Sequence, residues 1–232
     1  VIPVREEHRE LLEEAAPGNH FVYSSIREVS REQVQEADII LGNVPADKIG
    51  ASKKLQWLQL NSAGADAYTG QGILDENTVV TTANGAYGKT VSEHMFAMLL
   101  AMQKKLHLYR DSQNKHIWDE HGTVTSIADS TVLIFGMGDI GRHFAKMAHA
   151  LGAYVIGVKK SPGNCPEYID EPHLMKDCRE LLPHADVVVS FLPSTPETRG
   201  LFDKELFHLM KPGAFFLNGG RGDAVCTEDL CD

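Results

Sequence analysis

The sequence predicts an α/β protein made of two doubly wound parallel sheets, and three observations carry that expectation. Short apolar runs alternate with charged or amphipathic stretches along the whole chain, and the runs are continuous, as in strands covered on both faces. One of them passes through a glycine-rich turn directly into a helical pattern. With 232 residues, 43% apolar and 23% charged, the chain has room for one large or two small domains. That balance excludes collagen-like, coiled-coil and disordered classes.

From the N-terminus, Arg5 to Ala16 sets Leu11 and Leu12 on one side of a Glu/Arg-rich helix that Pro17-Gly18 terminates. Phe21–Tyr23, Ile39–Gly42, Leu55–Leu60 and Val79–Thr82 read as buried strands of a first domain spanning residues 1–89. Thr90 to Tyr109 carries Val91, Met95, Met98, Leu99, Met102 and Leu106 at spacings of three and four, which predicts one amphipathic helix of about five turns. Its methionines fit core filling or packing between two bodies. Asp111 to Ser130, polar with Trp118 and Gly122, reads as a crossover, so residues 90–130 form a connection. The second domain, residues 131–232, contains strands at Thr131–Phe135, Tyr154–Val158, Asp186–Ser190 and Ala214–Asn218, and a helix from Arg142 to Leu151.

Several classes are excluded or disfavoured. No run approaches the roughly eighteen apolar residues of a membrane span, and the N-terminus lacks a signal peptide's basic and apolar regions. A net charge of −10 repels nucleic acid and anionic membranes. Cys165, Cys178, Cys226 and Cys231 show no CxxC spacing, so neither a metal site nor a disulfide framework is expected, and a cytoplasmic location fits best. The chain starts at Val1 without Met and stops at Asp232 just after a helix start, so it reads as cut at both ends.

Gly136-Met137-Gly138-Asp139-Ile140-Gly141 closes an apolar strand and opens a helix, the setting that a GxGxxG dinucleotide loop requires. Gly136 permits the tight turn, Gly138 lets backbone approach a pyrophosphate, and Gly141 allows close helix–strand packing, while the helix N-terminus offers N–H groups to phosphates. At the end of the next strand, where an acid would hold the adenine ribose, stand Lys159, Lys160 and Ser161. A lysine about 4 Å from a phosphate gains on the order of 4 kcal/mol before desolvation, and against a hydroxyl it gains little. NADP(H) is therefore favoured. NAD(H) stays open, because Glu167 and Asp170 could fold back onto a ribose.

Leu192-Pro193-Ser194-Thr195-Pro196-Glu197-Thr198, Met210-Lys211-Pro212-Gly213-Ala214 and Asn218-Gly219-Gly220-Arg221-Gly222 follow in that order. Together with the glycine turn, these segments closely resemble the D-isomer-specific 2-hydroxyacid dehydrogenases, and the likeness extends to Asn61–Asp66 and Val91–His94. The resemblance implies a flavodoxin-like substrate domain joined to a Rossmann cofactor domain. It implies a 2-oxo acid held between the two, its carboxylate on the Ser62, Ala63 and Gly64 amides and on Arg221, whose planar guanidinium suits a carboxylate. By the same resemblance Asp139 and Ile140 lie along the pyrophosphate through their backbone. Leu192, Pro193 and Thr198 line the ribose and nicotinamide side, and Gly219 and Gly220 let the backbone approach the nicotinamide.

The family supplies a histidine proton donor and an assisting glutamate after the arginine, and this chain ends before either. None of its eleven histidines takes the role. The reading is an NADPH-preferring reductase of glyoxylate or hydroxypyruvate, with phosphoglycerate or formate dehydrogenase specificity as alternatives within the class. A non-catalytic, corepressor-like dinucleotide sensor is the rival from outside it. The resemblance further implies a homodimer through the cofactor domain, for which the Met-rich helix and the crossover offer a surface.

Overall fold

The computed structural model describes residues 4–231, which divide into two compact units, 4–86 and 87–231. In the first unit, α1 (Glu6–Ala15), α2 (Arg31–Gln35), β1 (Ile39–Leu41), α3 (Ala46–Ile49), β2 (Trp57–Gln59) and β3 (Val79–Thr81) follow in order. The strands pair in parallel as β1-β2-β3. Short as it is, α2 is well started: the Ser30 hydroxyl accepts from Gln33 N–H at 3.1 Å and the Gln33 side chain accepts from Ser30 N–H at 2.9 Å. Val34, Ile40, Ile49, Leu55, Leu58 and Leu60 form the core, and the Tyr68 hydroxyl reaches the Val44 carbonyl at 2.7 Å.

Three expectations change in this unit. Phe21–Tyr23 forms no strand; its two rings stack 6.1 Å apart, and the Arg9 guanidinium lies over Tyr23, so the run packs on itself and on α1. The strands are only partly covered: Ile39, Trp57 and Val79, which are register partners, stay exposed, Ile40 and Leu58 are buried, and β3 has no buried residue. The helix predicted at the N-terminus forms with no buried residue, and Leu11 is exposed.

The second unit opens with α4 (Gly88–Gln103) and α5 (Leu106–Asn114). The single five-turn helix expected here is therefore two: Lys105 adopts φ 55°, a left-handed conformation that breaks the helical bond ladder. The buried stripe of α4 runs through Ser92, Phe96, Leu99 and Gln103, and Met95 and Met102 pack partly buried against the same core as expected, while Met98 is exposed, so the apolar spacing located the covered face and overextended it at Met98. That stripe packs on α6 (Asp139–Ala150), where the Phe96 and Phe144 rings meet edge to face at 5.2 Å.

Around α6 lie β4 (Thr131–Phe135), β5 (Tyr154–Lys159), β6 (Glu171–Leu174), α7 (Cys178–Leu181), β7 (Val187–Ser190), α8 (Lys204–Leu209), β8 (Phe215–Asn218) and α9 (Thr227–Cys231). The strands form one parallel sheet in the order β6-β5-β4-β7-β8. The continuous apolar runs of β4, β5 and β7 are buried as expected for central parallel strands. The sequence reading missed β6, whose Glu-Pro-His-Leu carries no apolar run; charge and proline are the composition of an edge strand. Among the described residues no helix is long and apolar enough to cross a membrane.

Asp186, just before β7, ties three strands together at their amino ends. Its carboxylate accepts from Thr131 N–H at 2.8 Å and from the Lys211 ammonium at 2.8 Å, while its own N–H and C=O bond Thr131 and Phe215. Burial pushes this carboxyl up, but the Lys211 bond, the Thr131 N–H and the Lys211 charge outweigh it, so the group titrates below its ordinary value. A depressed carboxyl stabilises the fold above the unfolded-state value and loses that contribution as pH falls through the folded-state value. Asp186→Asn should lower unfolding free energy in urea at neutral pH by about 1 kcal/mol and flatten the loss of stability below about pH 4, compared with wild type.

Candidate functional site

In the sheet order the connections leave β4 toward β5 on one side and β7 on the other, and ligands bind at the carboxyl ends of strands where the order reverses so. Three turns converge there, after β4, β7 and β8. Their strand ends are stitched by Gly136 N–H to Val158 O at 3.0 Å, Phe191 N–H to Phe135 O at 2.8 Å and Gly219 N–H to Ser190 O at 2.9 Å.

The glycines of the first turn have different reasons. Gly136 has φ +92°, and a Cβ on it would meet the Phe191 carbonyl at 2.9 Å. A Cβ on Gly141 would overlap the Gly136 carbonyl oxygen, so its absence lets α6 seat directly on the end of β4. Gly138 differs: at φ −77° an L-residue is unstrained, and a Cβ would meet nothing within 4 Å. Protein packing accounts for the outer two glycines and leaves the middle one facing open space at the N-terminus of a 12-residue helix. That is the cradle a pyrophosphate fits. Asp139, in the first helical turn, has its carboxylate against Gly88 and 3.5 Å from His143 Nδ1, and Ile140 is half-buried behind it.

Beside Gly138 and Asp139 opens a cleft of about 570 Å³, lined also by Met137, Arg142, His143, Lys146 and Tyr168. Arg142 and Lys146 were not picked out from the sequence; their spacing of four on α6 is the signal that places both charges on one face. The Arg142 Nε–H bonds the Met137 carbonyl at 3.0 Å, anchoring the guanidinium to the glycine turn itself.

Lys159 ends β5, and its ammonium bonds the Gly163 carbonyl; Lys160 and Ser161 are exposed beyond it. Glu197 titrates below its ordinary value because of the Thr195 hydroxyl, its own N–H and the Lys160 charge, which places Lys160 near the loop after β7. Asp170 does not fold back toward these lysines. Its carboxylate accepts from Val155 N–H at 2.7 Å and lies 3.6 Å from His149 Nδ1, at the start of β5 rather than its end. Glu167 is exposed.

In the turn after β7 Leu192 is buried in the core, with its backbone against Gly220. Pro193 is exposed. The Thr198 hydroxyl donates to Pro193 O at 2.6 Å and accepts from Thr195 N–H at 2.9 Å, folding the loop on itself. In the turn after β8, Asn218 is a clamp: its Nδ2 donates to Arg221 O at 2.9 Å and its Oδ1 accepts from Gly220 N–H at 3.0 Å. Gly219 and Gly220 are small because Phe191 and Leu192 lie against them; a Cβ on Gly220 would sit 2.7 Å from Leu192 N. Arg221 emerges half-buried from this turn.

In the first unit, Asn43 buttresses the loop after β2: its Nδ2 donates to Ser62 Oγ at 2.9 Å and its Oδ1 accepts from Asn61 N–H at 3.0 Å. Ser62 Oγ in turn donates to Gly64 O at 2.7 Å. The Ala63 and Gly64 amides donate to no group among the described residues. No group of three His, Cys, Asp or Glu side chains among the described residues is placed to hold a metal.

Residues 96–232 match the profile of the D-isomer specific 2-hydroxyacid dehydrogenase NAD binding domain. A D-3-phosphoglycerate dehydrogenase of Mycobacterium tuberculosis is 33% identical over 211 residues, 86% of this chain and 38% of that protein; the chain thus spans well under half the length of that relative. Among solved structures, a D-isomer specific 2-hydroxyacid dehydrogenase family protein of Aeromonas salmonicida superposes with a TM-score of 0.84 at 31% identity, covering 97% of this chain and 72% of that one. An NADPH-dependent glyoxylate/hydroxypyruvate reductase of Sinorhizobium meliloti, crystallised with NADP and sulfate, superposes at 0.69 with 27% identity, covering 82% and 64%. With the glycine turn, the threonine-folded loop and the Asn218 clamp at one sheet edge, the match over residues 96–232 makes this chain a member of the D-isomer specific 2-hydroxyacid dehydrogenase family.

Proposed function

We propose that the chain belongs to a reductase of small 2-oxo acids, glyoxylate and hydroxypyruvate first, that uses NADPH in preference to NADH. The observation that carries this reading is the convergence of an open Gly138 cradle, a two-lysine strand end and the Arg221 turn on the carboxyl edge of one sheet. A nicotinamide dinucleotide, when bound, supplies the hydride that reduces the oxo carbon.

The residues then divide the work. Backbone amides at Gly138, Asp139 and Ile140 hold the pyrophosphate at the α6 N-terminus, with Arg142 and Lys146 adding charge along the same face. Lys159, Lys160 and Ser161 receive the 2′-phosphate; Lys160 is the stronger candidate, because the Lys159 ammonium already has a carbonyl. The Gly219–Gly220 backbone and the Leu192–Pro193 turn flank the nicotinamide side, and Thr198 shapes that turn. Arg221 orients the substrate carboxylate and draws charge from the oxo group; in the first unit the Ala63 and Gly64 amides, which donate to no group among the described residues, are carboxylate donors beside Ser62.

The likeness to phosphoglycerate dehydrogenase favours a second reading, in which the hydroxy acid carries a phosphate. Comparing glyoxylate, hydroxypyruvate and 3-phosphohydroxypyruvate as substrates separates the two.

Binding follows from nicotinamide fluorescence. NADPH should bind about tenfold more tightly than NADH, and Lys160→Ala should remove most of that difference; equal affinities in the wild type would overturn the preference. Gly138→Ala should leave the melting temperature within about 1 °C of wild type and weaken dinucleotide binding about tenfold or more, since the new methyl group occupies only ligand space.

A homodimer is proposed through the segment from α5 to the following loop, where Leu106, Tyr109, Ile117 and the 99% exposed Trp118 leave apolar surface uncovered. Light scattering should give twice the 25.6 kDa of one chain, and Trp118→Arg should shift the mass to that of the monomer.

A further inference from the structure

The loop after β7 and the turn after β8 are joined by a network of Ser194, Arg199 and Asp223. The Asp223 carboxylate accepts the Ser194 hydroxyl at 2.5 Å, and the Arg199 Nε lies 3.3 Å from both that carboxylate and the Ser194 oxygen. Behind the side chains the backbone continues the link. Gly200 N–H donates to Asp223 O at 2.8 Å, Phe202 N–H to Ala224 O at 2.9 Å and Cys226 N–H to Phe202 O at 3.0 Å, a short parallel bridge between Phe202 and Val225.

Asp223 lies two residues after Arg221, and two residues of chain span at most about 7 Å, so the placement of Asp223 limits where Arg221 can go. Arg199 and Asp223 are both well exposed, so their pairing adds little to stability, and its effect is on geometry.

We propose that Asp223, through Ser194 and Arg199, is a positioning residue for Arg221, coupling the dinucleotide-side loop to the arginine that holds the substrate carboxylate. This rests on the reading of Arg221 given above. The Ser194–Asp223 bond ties the Pro193–Thr198 loop, already closed by Thr198, to the Arg221 turn.

The test uses the whole chain with NADPH bound and oxalate as the carboxylate probe. Asp223→Ala should leave NADPH affinity within about twofold of wild type and weaken oxalate about tenfold; Ser194→Ala should weaken it about threefold, and Ser194→Thr, which keeps the hydroxyl, should restore it. The Ser194→Ala/Asp223→Ala pair should be no weaker than Asp223→Ala alone, because both remove one link. Oxalate affinity within about twofold of wild type in Asp223→Ala would overturn the proposal, as would an equal loss of NADPH affinity, which marks a general role in loop folding. Arg221→Ala tells the two readings apart. If it loses oxalate affinity and Asp223→Ala does not, only the positioning role fails; if it binds oxalate as wild type does, or the wild type binds none, the assignment of Arg221 itself fails.

Discussion

The seating of α6 on the end of β4 is the contact on which the second unit depends. Because Gly141 has no Cβ, the helix comes down onto the Gly136 carbonyl, and because Gly136 accepts φ +92° the chain can turn from strand to helix within a few residues. Everything at the site inherits that geometry. The first free amides of α6 face the carboxyl edge of the sheet, Phe144 is carried into contact with Phe96 of α4 and Phe191 of the next turn, and Gly138 is left as the residue with open space before it. A larger residue at either outer glycine would push the helix away and blunt its N-terminus as an anion site.

The neighbouring turns are held by side-chain to backbone bonds rather than by regular structure. Thr198 closes one on Pro193 and Thr195, and Asn218 closes the other on Gly220 and Arg221. Thr198 and Asn218 thus satisfy backbone groups that a loop would otherwise leave to water. Lys211, in the Met-Lys-Pro-Gly-Ala segment, does comparable work at the opposite edge by pairing with Asp186. Thr198 and Asn218 fold the turns at the carboxyl edge, and Lys211 braces the other end of the sheet.

Much of the second unit was legible because its signals are local. Five continuous apolar residues before a glycine turn specify a buried parallel strand, and β4 spans Thr131–Phe135 as read. The misreadings have a common cause. Met98 satisfies a spacing rule, but which side of α4 is covered depends on where α6 lies, and a left-handed Lys105 leaves no mark in composition. Edge strand β6 carries charge and proline in place of an apolar run, and Phe21–Tyr23 has the run without a strand partner. In the first unit the strands are short and half covered, so apolar runs overstated their burial.

What the sequence by itself determined is the family, the turn that takes a dinucleotide, and the residues that carry the motif, because these rest on backbone requirements of single positions: a positive φ, a missing Cβ, an amide that clamps a turn. Only the tertiary structure decided which of those residues face open space and which serve packing. Gly138 parted from Gly136 and Gly141 in this way, Asp170 went to the start of β5, and Ser194, Arg199 and Asp223 came together from segments 29 residues apart. Such placements depend on strand order and register, which bring distant segments to one edge and which no local spacing encodes.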